Sequence, residues 1–214
     1  ISKTFEKGAD SIILDLEDSV PENEKIQARE NLAIHLKDNT FKGNLIIRVN
    51  PISEQVGQDD IAMLSENDLS SIAFMVPKIE ESDLITNLPD VDVIALLETP
   101  VSIKNISEIA SQVKVKGLAL GGADLSASLG STMDWDSLLY ARSKIVQEAA
   151  INNLFSIDSP FMNIDNLDAL KDESIKSKRL GFNGKAAIHP SQIDIIKNSF
   201  PVSYTHLRAH ETLQ

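Results

Sequence analysis

Short apolar runs alternate with longer mixed stretches along the chain, and each run leads into polar residues. The runs are Ser11–Leu16 (SIILDL), Leu45–Val49, Ile72–Val76, Val93–Leu97, Leu118–Leu120, Leu154–Ile157 and Gly184–Ile188. Continuous apolar segments of this length read as parallel strands buried on both faces. Between them the pattern predicts helices. Pro21 opens one that runs to about Leu36, with acids in its first turn, Lys25 and Arg29 following at helical spacing, and Lys42-Gly43 marking its exit loop. Others are predicted over Asp59–Glu66, Ser82–Leu88, Ser102–Gln112, Trp135–Asn152 and Ile164–Lys178. The longest, Trp135–Asn152, carries Leu138, Leu139, Ile145, Val146 and Ala149 on one stripe. Seven strands alternating with helices, every connection compatible with a right-handed crossover, predict an α/β fold, a TIM (β/α)8 barrel whose first strand lies before residue 1. A doubly wound sheet is the competing arrangement, but no glycine-rich phosphate loop follows the first strand.

Composition narrows the class. The 214 residues, 42% apolar and 24% charged, suit one barrel domain. A net charge of −12 argues against a nucleic-acid partner, which needs a basic surface. The absence of cysteine excludes disulfides and thiolate metal sites. No apolar run approaches the ~18 residues of a membrane span, and the first residues do not read as a signal peptide, so a cytoplasmic enzyme is expected. Residues 1–200 are expected to form the single barrel, truncated at both ends. Val202–Thr212 (VSYTHLRAHET) resembles one reading frame of a sequencing adapter, so residues 201–214 are taken as a non-native tail. His206 and His210 within it are therefore set aside as metal ligands, and zinc needs three or four ligands in any case.

The candidate chemistry sits where the runs end. Glu98 closes one strand and Asp124 follows the next, about twenty-six residues on, the usual length of a strand–helix–strand unit. Working residues of parallel barrels lie at the carboxyl ends of strands, and two carboxylates delivered there suit a hard divalent cation. The plainer alternatives are a solvated acid for Glu98 and a helix N-cap for Asp124. Arg48, a cation in an otherwise apolar strand, suits either an anionic substrate or a rim salt bridge to Glu17 or Asp18. Lys78 is a strand-end cation near the acids. Gly121 and Gly122 permit close approach of backbone to a ligand, and Ala123 shares their segment. Asp158 is a rim residue suited to packing or to substrate contact, and His189 reads as a structural or ligand-contacting histidine rather than a general base.

Several blocks together carry a resemblance: GADSIILDLEDSV, LIIRVNP, MVPKIE, VIALLETP, LALGGADLSASLG, ARSKIV, FSIDSPF and GFNGKAAIHPSQI. In this order, and across nearly all of Gly8–Phe200, the chain resembles the citrate lyase beta subunit-like family of CoA-ester lyases, within the HpcH/HpaI aldolase group. The sister aldolases have a histidine where this chain reads LEDSV, which favours the lyase branch. The resemblance implies a barrel of the phosphoenolpyruvate/pyruvate type that uses Mg2+ to cleave a 3-hydroxy-3-carboxylate acyl-CoA of citryl-, malyl- or citramalyl type. The products would be an acyl-CoA and a 2-oxo acid. It implies Glu98 and Asp124 as Mg2+ ligands, Arg48 as the cation for the acyl-CoA enolate, and Glu17 and Asp18 as acceptors for waters on the metal. Gly121, Gly122, Ala123, Asp158 and His189 are the remaining expected substrate contacts. The acyl-CoA is the expected partner, with no membrane and no nucleic acid, in a homo-oligomer of three subunits or a multiple. A metal-dependent aldolase acting on free 4-hydroxy-2-oxo acids and a non-catalytic acyl-CoA-binding subunit are the alternatives. The general base is not assigned.

Overall fold

The computed structural model of the protein describes residues 7–37 and 44–200. The predicted exit loop at Lys42-Gly43 and the tail 201–214 lie outside them. The element order is β1 (Ser11–Asp15), α1 (Lys25–Lys37), β2 (Asn44–Arg48), α2 (Gln55–Leu64), β3 (Ile72–Val76), α3 (Asp83–Thr86), β4 (Asp92–Leu97), α4 (Pro100–Lys104), α5 (Ile106–Ala110), β5 (Val115–Leu120), α6 (Gly122–Leu129), α7 (Leu139–Asn152), β6 (Phe155–Asp158), α8 (Leu167–Leu180), β7 (Gly184–Lys185) and α9 (Ile193–Ser199). The seven strands form one sheet in chain order, β1 to β7. Every neighbouring pair is parallel.

Alternation along the strands divides the apolar residues into two cores, as side chains on successive positions point to opposite faces. Leu45, Ile47, Val49, Phe74, Val76, Val93, Ala95, Leu97, Leu118 and Leu120 pack outward against the helices. Ile46, Met75, Ile94, Leu96 and Ala119 form a second, smaller cluster on the opposite face, with Ala73 and Ile157 against it. The sheet curls far enough for α9, after β7, to reach the chain before β1. Lys197 Nζ there donates to Gly8 O at 3.0 Å and lies 3.0 Å from Asp10 Oδ1. Among the described residues β1 and β7 pair with no strand on their outer edges, and Ile13 on β1 is 39% exposed.

The predicted elements are present, with local corrections. A 3-10 turn at Glu22–Glu24 precedes α1, so Pro21 stands before the turn rather than on the α-helix itself. The helix predicted over Ser102–Gln112 is two, α4 and α5, parted at Asn105, whose Nδ2 donates to Glu80 O at 2.9 Å. Thr99 and Ser102 form a reciprocal capping box at the start of α4, with Pro100 in its first turn. The last strand is only Gly184–Lys185, shorter than the predicted Gly184–Ile188, on an edge without a partner among the described residues. Among the described residues no helix is long and apolar enough to cross a membrane.

Candidate metal and anion site at the carboxyl edge of the sheet

The ends of β1 to β5 bring together five carboxylates and two cations. Glu98 follows β4 directly and is 3% exposed. Its Oε1 accepts from the backbone N–H of Lys78 at 2.9 Å. Lys78, just past β3, has φ of 49°, a conformation that a residue with a Cβ adopts rarely and that here turns its N–H onto Glu98. The side chain of the same lysine reaches Glu17 Oε1 at 2.9 Å and Asp124 Oδ2 at 4.0 Å. Glu17 and Asp124 thus flank the Lys78 ammonium while Glu98 holds the backbone N–H of the same residue.

Gly121 makes the Glu98 position possible. A Cβ on Gly121 would lie 2.6 Å from Glu98 Oε2 and still nearer Glu98 Cβ, so only glycine fits there. Gly122 is similarly close-packed, since a Cβ would stand 2.9 Å from Ser159 Oγ. Asp124 is in the first turn of α6 and the cap position belongs to Gly121, so the N-cap alternative for Asp124 does not hold. Asp124 still favours the positive end of that helix and remains half-exposed on the site side.

Arg48 ends β2 opposite Asp15 in the parallel register. Its Nε and NH2 grip the two Asp15 oxygens at 2.7 and 2.6 Å, a bidentate pair. NH1 lies 3.1 Å from Glu17 Oε2 and 3.5 Å from Asp18 Oδ2. Although the Glu17 oxygen is within ion-pair range, no N–H is aligned with it, and it is left as a buried acceptor without a hydrogen bond. The predicted rim salt bridge of Arg48 to Glu17 or Asp18 is present, but its main partner is Asp15. In the sequence Asp15 stands out only as a neighbour of Glu17 and Asp18. The missing signal was parallel register, which the pattern of one strand does not reveal.

Charge imbalance shapes the protonation of the site. Burial, then the neighbouring Glu17 and Asp124, push Glu98 up to about 8. Glu17 is also raised, chiefly by burial, which the Lys78 hydrogen bond and the Arg48 charge do not fully offset. Burial acts upward on Asp15 as well, but hydrogen bonds from Arg48 and Ser19 outweigh it and hold Asp15 at about 2. For Lys78, burial works downward and the Glu17 hydrogen bond and charge reverse it, so the ammonium is held above its usual range.

These residues fit Mg2+. The donors are hard carboxylate oxygens, the acids outnumber the cations, and one acid is driven toward neutrality by its burial and by the acids beside it. Among the described residues no three His, Cys, Asp or Glu side chains form a closed metal cage. Mg2+ needs none, because it commonly takes one or two carboxylates and completes its octahedron with water or substrate oxygens.

One expected contact lies elsewhere. Asp158 faces the helix layer, not the site, and is 1% exposed. Its Oδ1 accepts from Arg142 Nε on α7 at 2.9 Å and its Oδ2 from Lys185 Nζ on β7 at 2.8 Å. Glu173 adds a second acid 2.8 Å from Lys185 Nζ, and Arg142 stacks over Trp135 at 4.6 Å. With both oxygens engaged, Asp158 is a packing residue, and the expectation of substrate contact is corrected. His189 is exposed and makes local bonds. Its Nδ1 accepts from Ser191 N–H at 3.2 Å and caps the turn Pro190–Gln192, which is the structural one of the two roles expected for it beside ligand contact.

Comparison with known proteins agrees with the geometry. The chain is 32% identical over 205 residues to a (3S)-malyl-CoA thioesterase of Cereibacter sphaeroides, covering 91% of this chain and 70% of that one. It is 28% identical over 230 residues to the mitochondrial citramalyl-CoA lyase of Rattus norvegicus, covering 95% and 68%. The structure matches protein CitE from Mycobacterium tuberculosis in complex with magnesium, acetoacetate and coenzyme A, with a TM-score of 0.84, 28% identity, and coverage of 99% and 79%. The sequence model that describes HpcH/HpaI aldolase/citrate lyase proteins matches residues 1–190, and with a buried acid at one strand end and a second acid in the helix turn after the next strand, this chain belongs to the HpcH/HpaI aldolase/citrate lyase family.

Proposed function

We propose that this chain is the catalytic barrel of a Mg2+-dependent carbon–carbon lyase, cleaving a citryl-, malyl- or citramalyl-type acyl-CoA into an acyl-CoA and a 2-oxo acid. The observation that carries the reading is the convergence of Glu17, Glu98 and Asp124 on Lys78 at the carboxyl edge of the sheet, Glu17 and Asp124 on its ammonium and Glu98 on its backbone N–H. The family supplies the reaction class, and relatives named for malyl-CoA and citramalyl-CoA support the thioester. A CitE neighbour holding magnesium, acetoacetate and coenzyme A supports the ion and the CoA partner.

Glu98 and Asp124 would hold the ion, and the absence of a side chain at Gly121 leaves room for the Glu98 carboxylate. Bound there, Mg2+ would polarise the substrate hydroxyl and its carboxylate, making the hydroxyl easier to deprotonate. As the hydroxyl proton leaves, the new carbonyl forms and the carbon–carbon bond breaks toward the thioester, leaving an acyl-CoA enolate that takes up a proton. Arg48 faces that enolate charge. Three of its five donors are engaged by Asp15 and Asp18, and the bidentate Asp15 grip orients the remaining two. Glu17 and Asp18 would accept from water around the ion, and the unbonded Glu17 oxygen is suited to that. Lys78 balances the acids before the ion enters. Gly122 and Ala123 line the backbone beside the ligand.

The same reading completes the barrel with an eighth strand between the outer edges of β7 and β1. It places the barrel domain within residues 1–200, with 201–214 outside it, in a cytoplasmic homo-oligomer of three subunits or a multiple. The test is Mg2+-dependent release of acyl-CoA from a panel of citryl-, malyl- and citramalyl-CoA, with Glu98→Ala as control. The expected result is cleavage that disappears with chelator and in E98A. Cleavage of a free 4-hydroxy-2-oxo acid but of no thioester moves the protein to the aldolase class. Acyl-CoA binding without turnover of either substrate class makes it a binding subunit.

A further inference from the structure

Beneath the loop that carries Glu17 and Asp18 runs a buried polar chain that the proposed chemistry does not use. Lys25, the first residue of α1, is 8% exposed. Its ammonium donates to Leu16 O at 3.1 Å, Glu17 O at 3.1 Å and Asn50 Oδ1 at 2.6 Å, which engages all three of its protons. Asn50, just past β2, donates through Nδ2 to the same Leu16 carbonyl at 2.9 Å and to Asp60 Oδ2 at 2.7 Å. Its backbone N–H adds a bond to Asp60 Oδ2 at 2.8 Å. Asp60, wholly buried on α2, accepts from Arg29 Nε on α1 at 2.7 Å through its other oxygen. Helix α2 approaches this closely because Gly57 has no side chain. A Cβ there would stand 2.6 Å from Asn50 O and nearer still to Pro51 O.

None of the acceptors bonded to Lys25 is a carboxylate. A buried ammonium held only by neutral oxygens carries a desolvation cost that an apolar side chain of similar length would avoid. What the charge achieves is geometric. The two carbonyls it grips belong to the peptide planes between residues 16 and 17 and between 17 and 18. Because each plane is rigid, fixing both carbonyls constrains the directions in which Glu17 and Asp18 leave the backbone.

We propose that Lys25 is a positioning residue for the metal site, clamping the Leu16 and Glu17 carbonyls, with Asn50 and Asp60 behind it, so that the Glu17 and Asp18 carboxylates face the ion. The proposal rests on the Mg2+ reading above. It is tested with Mg2+ alone, titrated calorimetrically into the full chain, beside amide hydrogen exchange across residues 16–20. Lys25→Met removes all three donors at nearly constant length, and Lys25→Gln retains some polarity in case the methionine variant does not fold. Outer-shell substitutions commonly weaken metal binding about 10- to 100-fold, and a loss of at least about tenfold is expected, with faster exchange in the loop. Leu170→Ala, a buried residue of α8 outside this chain of contacts, is the control for general destabilisation. It should lower the unfolding midpoint and leave the Mg2+ dissociation constant within about twofold. Lys25 variants that bind Mg2+ as tightly as the wild type overturn the proposal, as does unchanged loop exchange. A wild-type chain that takes up no Mg2+ instead overturns the metal reading and the proposal with it, so the two failures are distinguishable.

Discussion

Glu98 shows how much one side chain can be asked to do. Its burial and its acidic neighbours raise its proton affinity until it titrates at about 8, against 4.5 for an ordinary glutamate. The folded state therefore binds a proton that the unfolded chain has already released. Stability of the metal-free protein is full below pH 4.5 on this account and falls as pH rises toward 8, by on the order of a few kcal/mol. Asp15 has the opposite sign, with its stabilisation present above 3.8 and lost as pH falls toward 2. Glu98→Gln removes the ionisation while keeping the shape. It is expected to raise the metal-free melting temperature at pH 8 to 9, flatten the pH dependence, and weaken Mg2+ binding by about 100-fold or more. Thermal melts across pH and a Mg2+ titration check the pair of effects. A variant less stable than the parent at pH 9 would count against a strained, buried carboxylate.

At the scale of elements, the site depends on close approaches between loops at successive strand ends. Strands β3, β4 and β5 are neighbours, and Lys78, Glu98 and Gly121 meet just beyond their ends. Gly121→Ala introduces a methyl group 2.6 Å from Glu98 Oε2, which must move. The expected outcome is an order-of-magnitude loss of Mg2+ affinity with the sheet intact, read by titration and circular dichroism. On the other side of the sheet, Asp158, Arg142, Lys185 and Glu173 form a balanced buried cluster that ties α7, β6, β7 and α8 together. It explains why an acid at the end of β6 looks like a site residue in the sequence. Position at a strand end was correctly legible, but Asp158 alternates with Ile157 and so takes the helix-side face, where Lys185 stands opposite it.

For the whole molecule, binding at this edge couples to stability, because the ion finds its carboxylates together only in the folded chain. At a Mg2+ concentration 100 times its dissociation constant, the gain is about 2.7 kcal/mol, and chelator should reverse it. The shift should be accompanied by proton release near pH 7, since Glu98 is largely protonated there without the ion and ionised with it. No melting shift with Mg2+ at any pH would contradict the metal reading. The sequence by itself determined the strand order, the parallel sheet and the identity of the residues at its carboxyl edge. Uninterrupted apolar runs separated by helix-length segments leave few alternatives, and the motif blocks Gly8 to Phe200 mark the family. Only the tertiary structure decided which of those residues meet. It paired Asp15 with Arg48, turned Asp158 toward the helices, placed Lys78 among the acids and revealed Lys25 beneath the loop. These outcomes depend on register, on the face a side chain takes and on contacts between residues up to 61 positions apart, quantities that a local hydrophobic pattern does not encode.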